Sequence, residues 1–349
     1  MKPLRKCNSS EINENEEVGR KELESSFSNS LETSPLAADF LPLDRLIASI
    51  DKSKINKYIN GRNKNHFVKK LNSCLAKMLG QVGDAEIDIK SIVNDYGALV
   101  LTHMRDDYIS SKILKDKNYY EIDFLSALSI FHERDGIFID AGANIGNHSL
   151  YFASVLKAKV VAFEPQPHNI LCIELNSILN GVSESVSIHR CALGDSNAEA
   201  VLRMSIEANY GTFSAKPASN PRANSEEGRK GFVVPVRILD EVINGSFPGQ
   251  KVSIIKIDVE GMEMEVIRGA SKIIEKWRPL VACECFNRDL FDRVDKFLNK
   301  FDYSPMATLN ATPTFIFYCT KNDLHVDKIP DYLRWRAMSD ARKNRNFAP

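Results

Sequence analysis

The sequence predicts an α/β protein: a mostly parallel sheet covered on both faces by crossover helices and preceded by a helical extension. Three observations carry this reading. From Gly136 onward, short apolar runs alternate with stretches of helical period. The first run ends in the glycine-rich turn Asp140-Ala141-Gly142-Ala143-Asn144-Ile145-Gly146. A later run, Ile255-Lys256-Ile257-Asp258-Val259-Glu260-Gly261, places charges where its strand ends. Such alternation requires right-handed crossovers and buries both sheet faces.

The elements follow in order. Residues 1–36 are rich in Ser, Asn and Glu and too poor in apolar residues to offset their ordering entropy, so disorder is expected there. Residues 37–118 carry apolar positions at helical spacing, as in LPLDRLIASI and FVKKLNSCLAKML, and read as a helical cap. The main domain spans 119–320. YEIDFLSALSIF is its first helix, GIFIDAGAN a strand and turn, HSLYFASVL a helix, KVVAFEP a strand, PHNILCIELNSILNG a helix stopped by Asn180-Gly181, and VSIHRCAL a third strand. Residues 196–250 read as a strand excursion or loop near the site. VSIIKIDVEG, a helix from about Met262 to Ile274, the strand PLVACECF, a helix around LFDRVDKFLNKF and a terminal hairpin of YSPMA and TFIFYC restore the rhythm. Residues 321–349 read as a solvated, mixed basic tail.

Composition excludes several classes. With 43% hydrophobic and 26% charged residues, the 349-residue chain fits a soluble protein with a sizeable core. Lys+Arg and Asp+Glu balance at 46 each, so no overall field draws it to nucleic acid or an anionic membrane; either partner would need a local patch, and nucleic acid is not expected. No membrane span is expected. The opening MKPLRKCNSSEINENEE lacks the apolar core of a secretory signal, and a cytoplasmic location is expected. The seven Cys include no CxxC pair and read as reduced thiols.

At the first strand-to-helix turn, open α/β sheets bind ligands. The spacing here is DxGxNxG, where a dinucleotide fingerprint needs GxGxxG. A nicotinamide dinucleotide would set its pyrophosphate over the turn, and Asp140 would repel it. S-adenosylmethionine carries a sulfonium and an ammonium, which a nearby carboxylate favours. Asn144 enters left-handed geometry at modest cost. Glu164 ends the second strand, where an acid accepts hydrogen bonds from ribose hydroxyls. The plainer alternatives are a tight turn and a surface Glu before a Pro-started helix.

In IKIDVEG, period two places Lys256, Asp258 and Glu260 on one face. Either these charges project into the crevice or they form an ion-pair set in which Lys256 neutralises the carboxylates. Glu284, on the next strand, is within range of the same site. His148, just after the glycine-rich turn, is a candidate base or a helix cap. Asp258, Glu260 and Glu284 form an acidic cluster, but paired carboxylates alone do not make a metal site, and no metal ligands are assigned.

The ordered set FIDAGANIGNHSLYFA, VVAFEPQPHN, CALGD, ANYGT, VPVRILD and IIKIDVEGMEMEVIRGA, followed by the strand bearing Glu284, resembles the FkbM family of S-adenosylmethionine-dependent methyltransferases from about Tyr120 to Cys319. The resemblance implies a class I, Rossmann-like sheet of seven strands with the last antiparallel. It implies S-adenosylmethionine as cofactor, with Asp140, Gly142, Asn144 and Gly146 around its methionine portion, Glu164 at the ribose, and Ala192 and Leu193 near the adenine. Asp258 would meet both cofactor and acceptor, and Glu260 or Asp258 would act as base, with His148 second. O-methylation of a small-molecule or glycan hydroxyl is the expected activity, with N-methylation of a small amine left open. The rivals are a nicotinamide-dependent oxidoreductase, which the turn spacing disfavours, and a non-catalytic module of the same fold in a biosynthetic complex. The sequence leaves the oligomeric state open.

Overall fold

The computed structural model describes residues 64–70, 72–73, 87–104, 107–204, 213–217 and 232–343. The disorder expected over 1–36, much of the helical cap and most of the 205–231 stretch lie outside these residues. Within the cap, residues 64–70 are helical.

Part of the cap departs from the helical reading. β1 (Ile87–Asn94) and β2 (Gly97–Met104) pair as an antiparallel hairpin. Period two explains it: Ile87 and Ile89 are buried while Lys90 is exposed. The turn is closed where Gly97 adopts φ 115, a left-handed value that a side chain resists. α1 (Tyr108–Asp116) follows, capped by Asp107, whose carboxylate accepts from Ser110 N at 2.8 Å. α2 (Ile122–Phe131) buries Phe124, Leu125, Leu128 and Phe131.

The central sheet has seven strands, and its middle is fully buried, as a parallel sheet covered on both faces must be. β3 (Ile137–Ala141) pairs parallel with β4 (Lys159–Phe163) on one side and with β10 (Val252–Ile257) on the other. β5 (Val186–His189) extends the sheet beyond β4, and β11 (Leu280–Glu284) extends it beyond β10. The terminal hairpin is β12 (Tyr303–Leu309) and β13 (Thr314–Cys319). β13 inserts beside β11 and runs opposite to it, which gives the order β12-β13-β11-β10-β3-β4-β5. The α/β expectation, mostly parallel with an antiparallel last strand, is met.

Alternate residues face two cores. Phe138, Val160, Ala162 and Ile254 pack with α2, α3 (Asn147–Ser154) and α4 (Pro167–Leu179); Ile139, Val161, Ile255 and Ile257 pack on the opposite face. That second face is covered by α5 (Leu239–Ser246), α6 (Glu263–Gly269), α7 (Ser271–Trp277) and α8 (Arg288–Leu298). The single helix expected over Met262 to Ile274 is two. The carboxylate of Asp240 accepts from Lys272 N and Ile273 N, both at 2.9 Å, and so starts α7 afresh.

VSIHRCAL is likewise divided. β5 ends at His189, and β6 (Ala192–Gly194) joins a second sheet of order β6-β9-β7-β8 with β7 (Ala198–Met204), β8 (Phe213–Pro217) and β9 (Phe232–Ile238). The strand excursion expected over 196–250 is this sheet. The C-terminal region is not wholly a solvated tail. α9 (Asp323–Lys343) lays Tyr332 and His325 against Phe131 of α2, each with ring centres 6.1 Å apart. The residues responsible are the aromatic ones on one side of an otherwise charged helix, and His325 Nδ1 also accepts from Cys319 N at 3.1 Å.

Candidate active site

A cavity of about 740 Å³ opens beyond the carboxyl ends of β3, β4, β10 and β11. Its floor is the glycine-rich turn, where Gly142, Asn144 and Gly146 take φ 77, 51 and 84. Gly142 has no substitute: a Cβ there would lie 1.8 Å from the carbonyl oxygen of Asp258. The turn after β3 and the loop after β10 thus touch through main chain, which only glycine permits.

Lys256 locks this junction. Its ammonium lies 3.2 Å from Asp140 Oδ1 and 3.6 Å from Asp258 Oδ2, and donates to Gly142 O at 2.7 Å. Ser149 Oγ donates to the other oxygen of Asp140 at 2.7 Å. Burial opposes the charge of Lys256, but the carboxylates of Asp140 and then Asp258 outweigh it and hold the pKa above the ordinary lysine value. Of the charged strand, Lys256 and Asp258 pair with each other, while Asp258 and Glu260 also line the cavity; the closer partner of Lys256, Asp140, comes from β3. Asp140 is wholly buried and serves the ion pair, whereas Asp258 is half-exposed and borders the cavity. Asp140 and Gly146 do not line the cavity, and they act behind its wall; Gly142 and Asn144 do line it.

Glu164 is 4% exposed and lines the cavity at the end of β4. Its orientation is fixed from both sides: Oε2 accepts from Asn144 N at 2.8 Å and Oε1 from Gln166 N at 3.0 Å. Burial nevertheless pushes its carboxyl up to about 7. Ala192 and Leu193 of β6 form the neighbouring wall.

On the other side stand Asp258, Glu260 and Glu284. Burial, then the neighbouring carboxylate of Asp258 and a hydrogen bond shared with it, push Glu284 up to about 8. Glu260 opens to solvent at the rim, but partial burial followed by the carboxylates of Asp258 and Glu263 pushes it up to about 7. Its backbone has φ 56, a left-handed conformation that costs roughly 1–2 kcal/mol in a residue other than glycine. Strain of this kind gathers at functional sites. Among the described residues, no group of three His, Cys, Asp or Glu side chains is arranged to hold a metal ion.

His148 also borders the cavity, with Nε2 3.3 Å from Glu121 Oε2. Glu121, Tyr120 and Tyr108 were not singled out by the sequence, because they precede the first sheet strand and no spacing links them to it. They arrive through packing. Asn147, at the start of α3, accepts from Tyr120 N and donates to Tyr120 O, both at 3.0 Å, and Glu121 takes φ 58 before α2. The consecutive Tyr119-Tyr120-Glu121 ahead of an apolar helix is the only local signal they leave. Gln166, Asn169 and Phe286 complete the cavity wall and were likewise not anticipated.

Comparison with known proteins finds methyltransferases. The model of the methyltransferase FkbM domain matches residues 140–305. Methyltransferase 1 of Beauveria bassiana is 29% identical over 223 residues, covering 60% of this chain and 80% of that protein. Hexuronic acid methyltransferase AglP of Haloferax volcanii is 28% identical over 205 residues, covering 58% and 78%. Among solved structures, an FkbM methyltransferase from Methylobacillus flagellatus aligns at a TM-score of 0.39 and 18% identity, over 53% of this chain and 44% of that one, less than half its length. The turn that floors the cavity and the charged strand beside it fall within residues 140–305, which match the methyltransferase FkbM domain, whereas Tyr108, Tyr120 and Glu121 of the cavity wall precede that span and Ala311 and Thr312 follow it.

Proposed function

We propose that the chain transfers a methyl group from S-adenosylmethionine to a hydroxyl of a sugar, glycan or other small metabolite. The observation that carries this is Glu164, a buried acid oriented by two main-chain amides at the mouth of the second strand. A carboxylate has about four lone-pair sites, so it retains capacity for a ribose hydroxyl. The residues fit the cofactor in other respects. The turn closes through Gly142 and Asn144, and the apolar wall of Ala192 and Leu193 suits a flat adenine. Lys256 is the one Lys or Arg among the described lining residues and is committed to Asp140, so among them no cationic side chain is free to answer a pyrophosphate. This disfavours the oxidoreductase reading. The relative from Haloferax volcanii is named for a sugar acid, which supports an acceptor of sugar type.

Bound there, S-adenosylmethionine would supply an electrophilic methyl group with a neutral thioether as its leaving group. The chain's own task is to seat the acceptor hydroxyl in line and take its proton. Of the rim carboxylates, Glu284 holds a proton at neutral pH and shares it with Asp258, which leaves Glu260 as the group that accepts another. His148, backed by Glu121, is the second candidate base. Tyr108 and Phe286 stand at the opening, where a bound acceptor would close off water.

Calorimetry with S-adenosylhomocysteine tests this directly. The full chain is expected to bind it and not NADH, and Glu164→Ala is expected to weaken binding by roughly ten- to a hundredfold, the worth of charge-assisted hydrogen bonds. Binding unchanged in the variant removes the ribose assignment.

A further inference from the structure

His148 borders the cavity, and the plain role open to a histidine just after the glycine-rich turn, capping α3, is not the one it takes. Gly146 holds the capping position, and no side chain caps that helix. The His148 ring is buried and tilted against Phe124, with centres 5.6 Å apart. Its Nε2 is sealed from solvent and faces Glu121 Oε2 at 3.3 Å. The other ring nitrogen, Nδ1, is not sealed in this way and has no hydrogen-bond partner among the described residues. It is the nitrogen left for whatever fills the cavity that His148 lines.

Glu121 stands at the capping position of α2, yet its carboxylate makes no capping hydrogen bond. Its φ of 58 is a left-handed value that costs a residue other than glycine, and such strain gathers at functional sites. Two successive residues tie the segments together. Asn147 accepts from Tyr120 N and donates to Tyr120 O, both at 3.0 Å, and the next residue on each side, Glu121 and His148, forms the carboxylate–imidazole pair. The pair lies toward the transfer side of the cavity, where the charge of Asp258 acts on Tyr120 and that of Glu121 on Lys256. In a neutral imidazole, the nitrogen that carries the hydrogen is set by the bond the ring makes. A carboxylate facing Nε2 draws the hydrogen there and leaves Nδ1 as an acceptor.

We propose that Glu121 is a positioning residue that keeps the hydrogen of His148 on Nε2, so that Nδ1 accepts a hydrogen bond from a second hydroxyl of the methyl acceptor, one that is not itself methylated. The reacting hydroxyl cannot fill this place, because its proton goes to Glu260. The acceptor is therefore a compound with at least two hydroxyls, one presented to the methyl group and one read by His148. This inference rests on the methyl-transfer reading and adds to it the residue pair that orients the substrate.

Affinity for S-adenosylhomocysteine is measured first, on the full chain and on Glu121→Ala and Glu121→Gln, and is expected to be equal in all three. Nitrogen NMR of the isotopically labelled proteins, each saturated with S-adenosylhomocysteine, then reads the His148 tautomer, its signals being those lost in His148→Phe. The native ring is expected to carry its hydrogen on Nε2, Glu121→Ala to lose that preference, and Glu121→Gln to keep it, since an amide oxygen still accepts from Nε2. Transfer of a radiolabelled methyl group to glucose and its monodeoxy forms reads the second hydroxyl. One deoxy form that is still methylated is expected to fall about tenfold in kcat/KM below glucose, the worth of one hydrogen bond. That deficit should nearly vanish in Glu121→Ala and return in Glu121→Gln. A native ring with its hydrogen on Nδ1 or shared evenly, a deoxy deficit unchanged in Glu121→Ala, or no transfer to glucose overturns the inference while leaving methyl transfer standing. Failure of the native chain to bind S-adenosylhomocysteine overturns methyl transfer itself, and this inference with it.

Discussion

Glu260 shows how one position combines backbone strain with tuned acidity. Its left-handed φ turns the chain sharply at the end of β10, and partial burial, then the carboxylates of Asp258 and Glu263, pushes its carboxyl up to about 7. A general base is most effective when its pKa lies near the working pH. Glu260→Gln is expected to retain S-adenosylhomocysteine affinity and to lower the transfer rate by about a hundredfold or more, in keeping with the loss of general-base catalysis. The native protein should gain kcat/KM as pH rises through about 7 and then level off, because the base must first lose its proton. A pH–rate profile measured on both proteins checks this; the same rise persisting in the variant removes the role from Glu260. At this scale the sequence was informative where residue type and strand end coincided, as at Glu164, Asp258 and Glu260. It was silent on Glu121, whose place beside His148 depends on how α2 packs against α3.

The elements are joined by side chains that imitate main chain. Asn176 of α4 accepts from Thr102 N at 2.5 Å and donates to Thr102 O at 3.3 Å, and one turn later Asn180 accepts from Val100 N at 2.9 Å and donates to Val100 O at 2.6 Å. The helix thus satisfies one edge of β2 as a neighbouring strand would. Asn176 also donates to Ile145 O at 2.9 Å, so the same amide steadies the glycine-rich turn. Asn176→Ala strands these buried groups and is expected to cost about 2 kcal/mol. Denaturant unfolding measures the loss, and hydrogen exchange should show β2 losing protection first; equal protection in both proteins contradicts the coupling. An Asn pair one helical turn apart is visible in the sequence, yet nothing local reveals its partner, which is why the hairpin went unread within a stretch of helical neighbours. By contrast β3, β4 and β10 were legible because short, mostly apolar runs bounded by turn residues have few other uses. The break between α6 and α7 was not, because the residue that makes it, Asp240, is remote in sequence.

Over the whole molecule, balanced formal charge conceals a local imbalance. The 46 basic and 46 acidic residues cancel in sum, while the cavity collects carboxylates whose folded pKa values lie above their ordinary ones. The consequence for stability has a definite sign. Between the ordinary carboxylate value and the raised one, the folded state holds the extra proton, so stability falls as pH rises across that window. Glu284→Gln removes one such group and is expected to gain Tm relative to the native protein as pH rises from about 4.5 to 8, with the difference constant above that. Parallel thermal melts test it, and a difference independent of pH refutes the raised carboxyl. Composition could not disclose this, because acidity here comes from where strands end, not from how many acids the chain contains. Strand order was legible only through the resemblance, which implied an antiparallel last strand; the docking of α9 on α2 was hidden by the charged residues that dominate its outer face.

The seal around Lys256 has a consequence for how the protein responds to ionic strength. Counterions screen charges they can reach, over about 8 Å at physiological concentration, and they reach a buried ammonium poorly. The junction between the glycine-rich turn and the loop after β10 therefore keeps its shape in concentrated salt, while attraction exerted by the open carboxylates at the rim fades. Added electrolyte thus separates the two halves of the cavity, leaving the sealed junction intact as the rim carboxylates lose their pull.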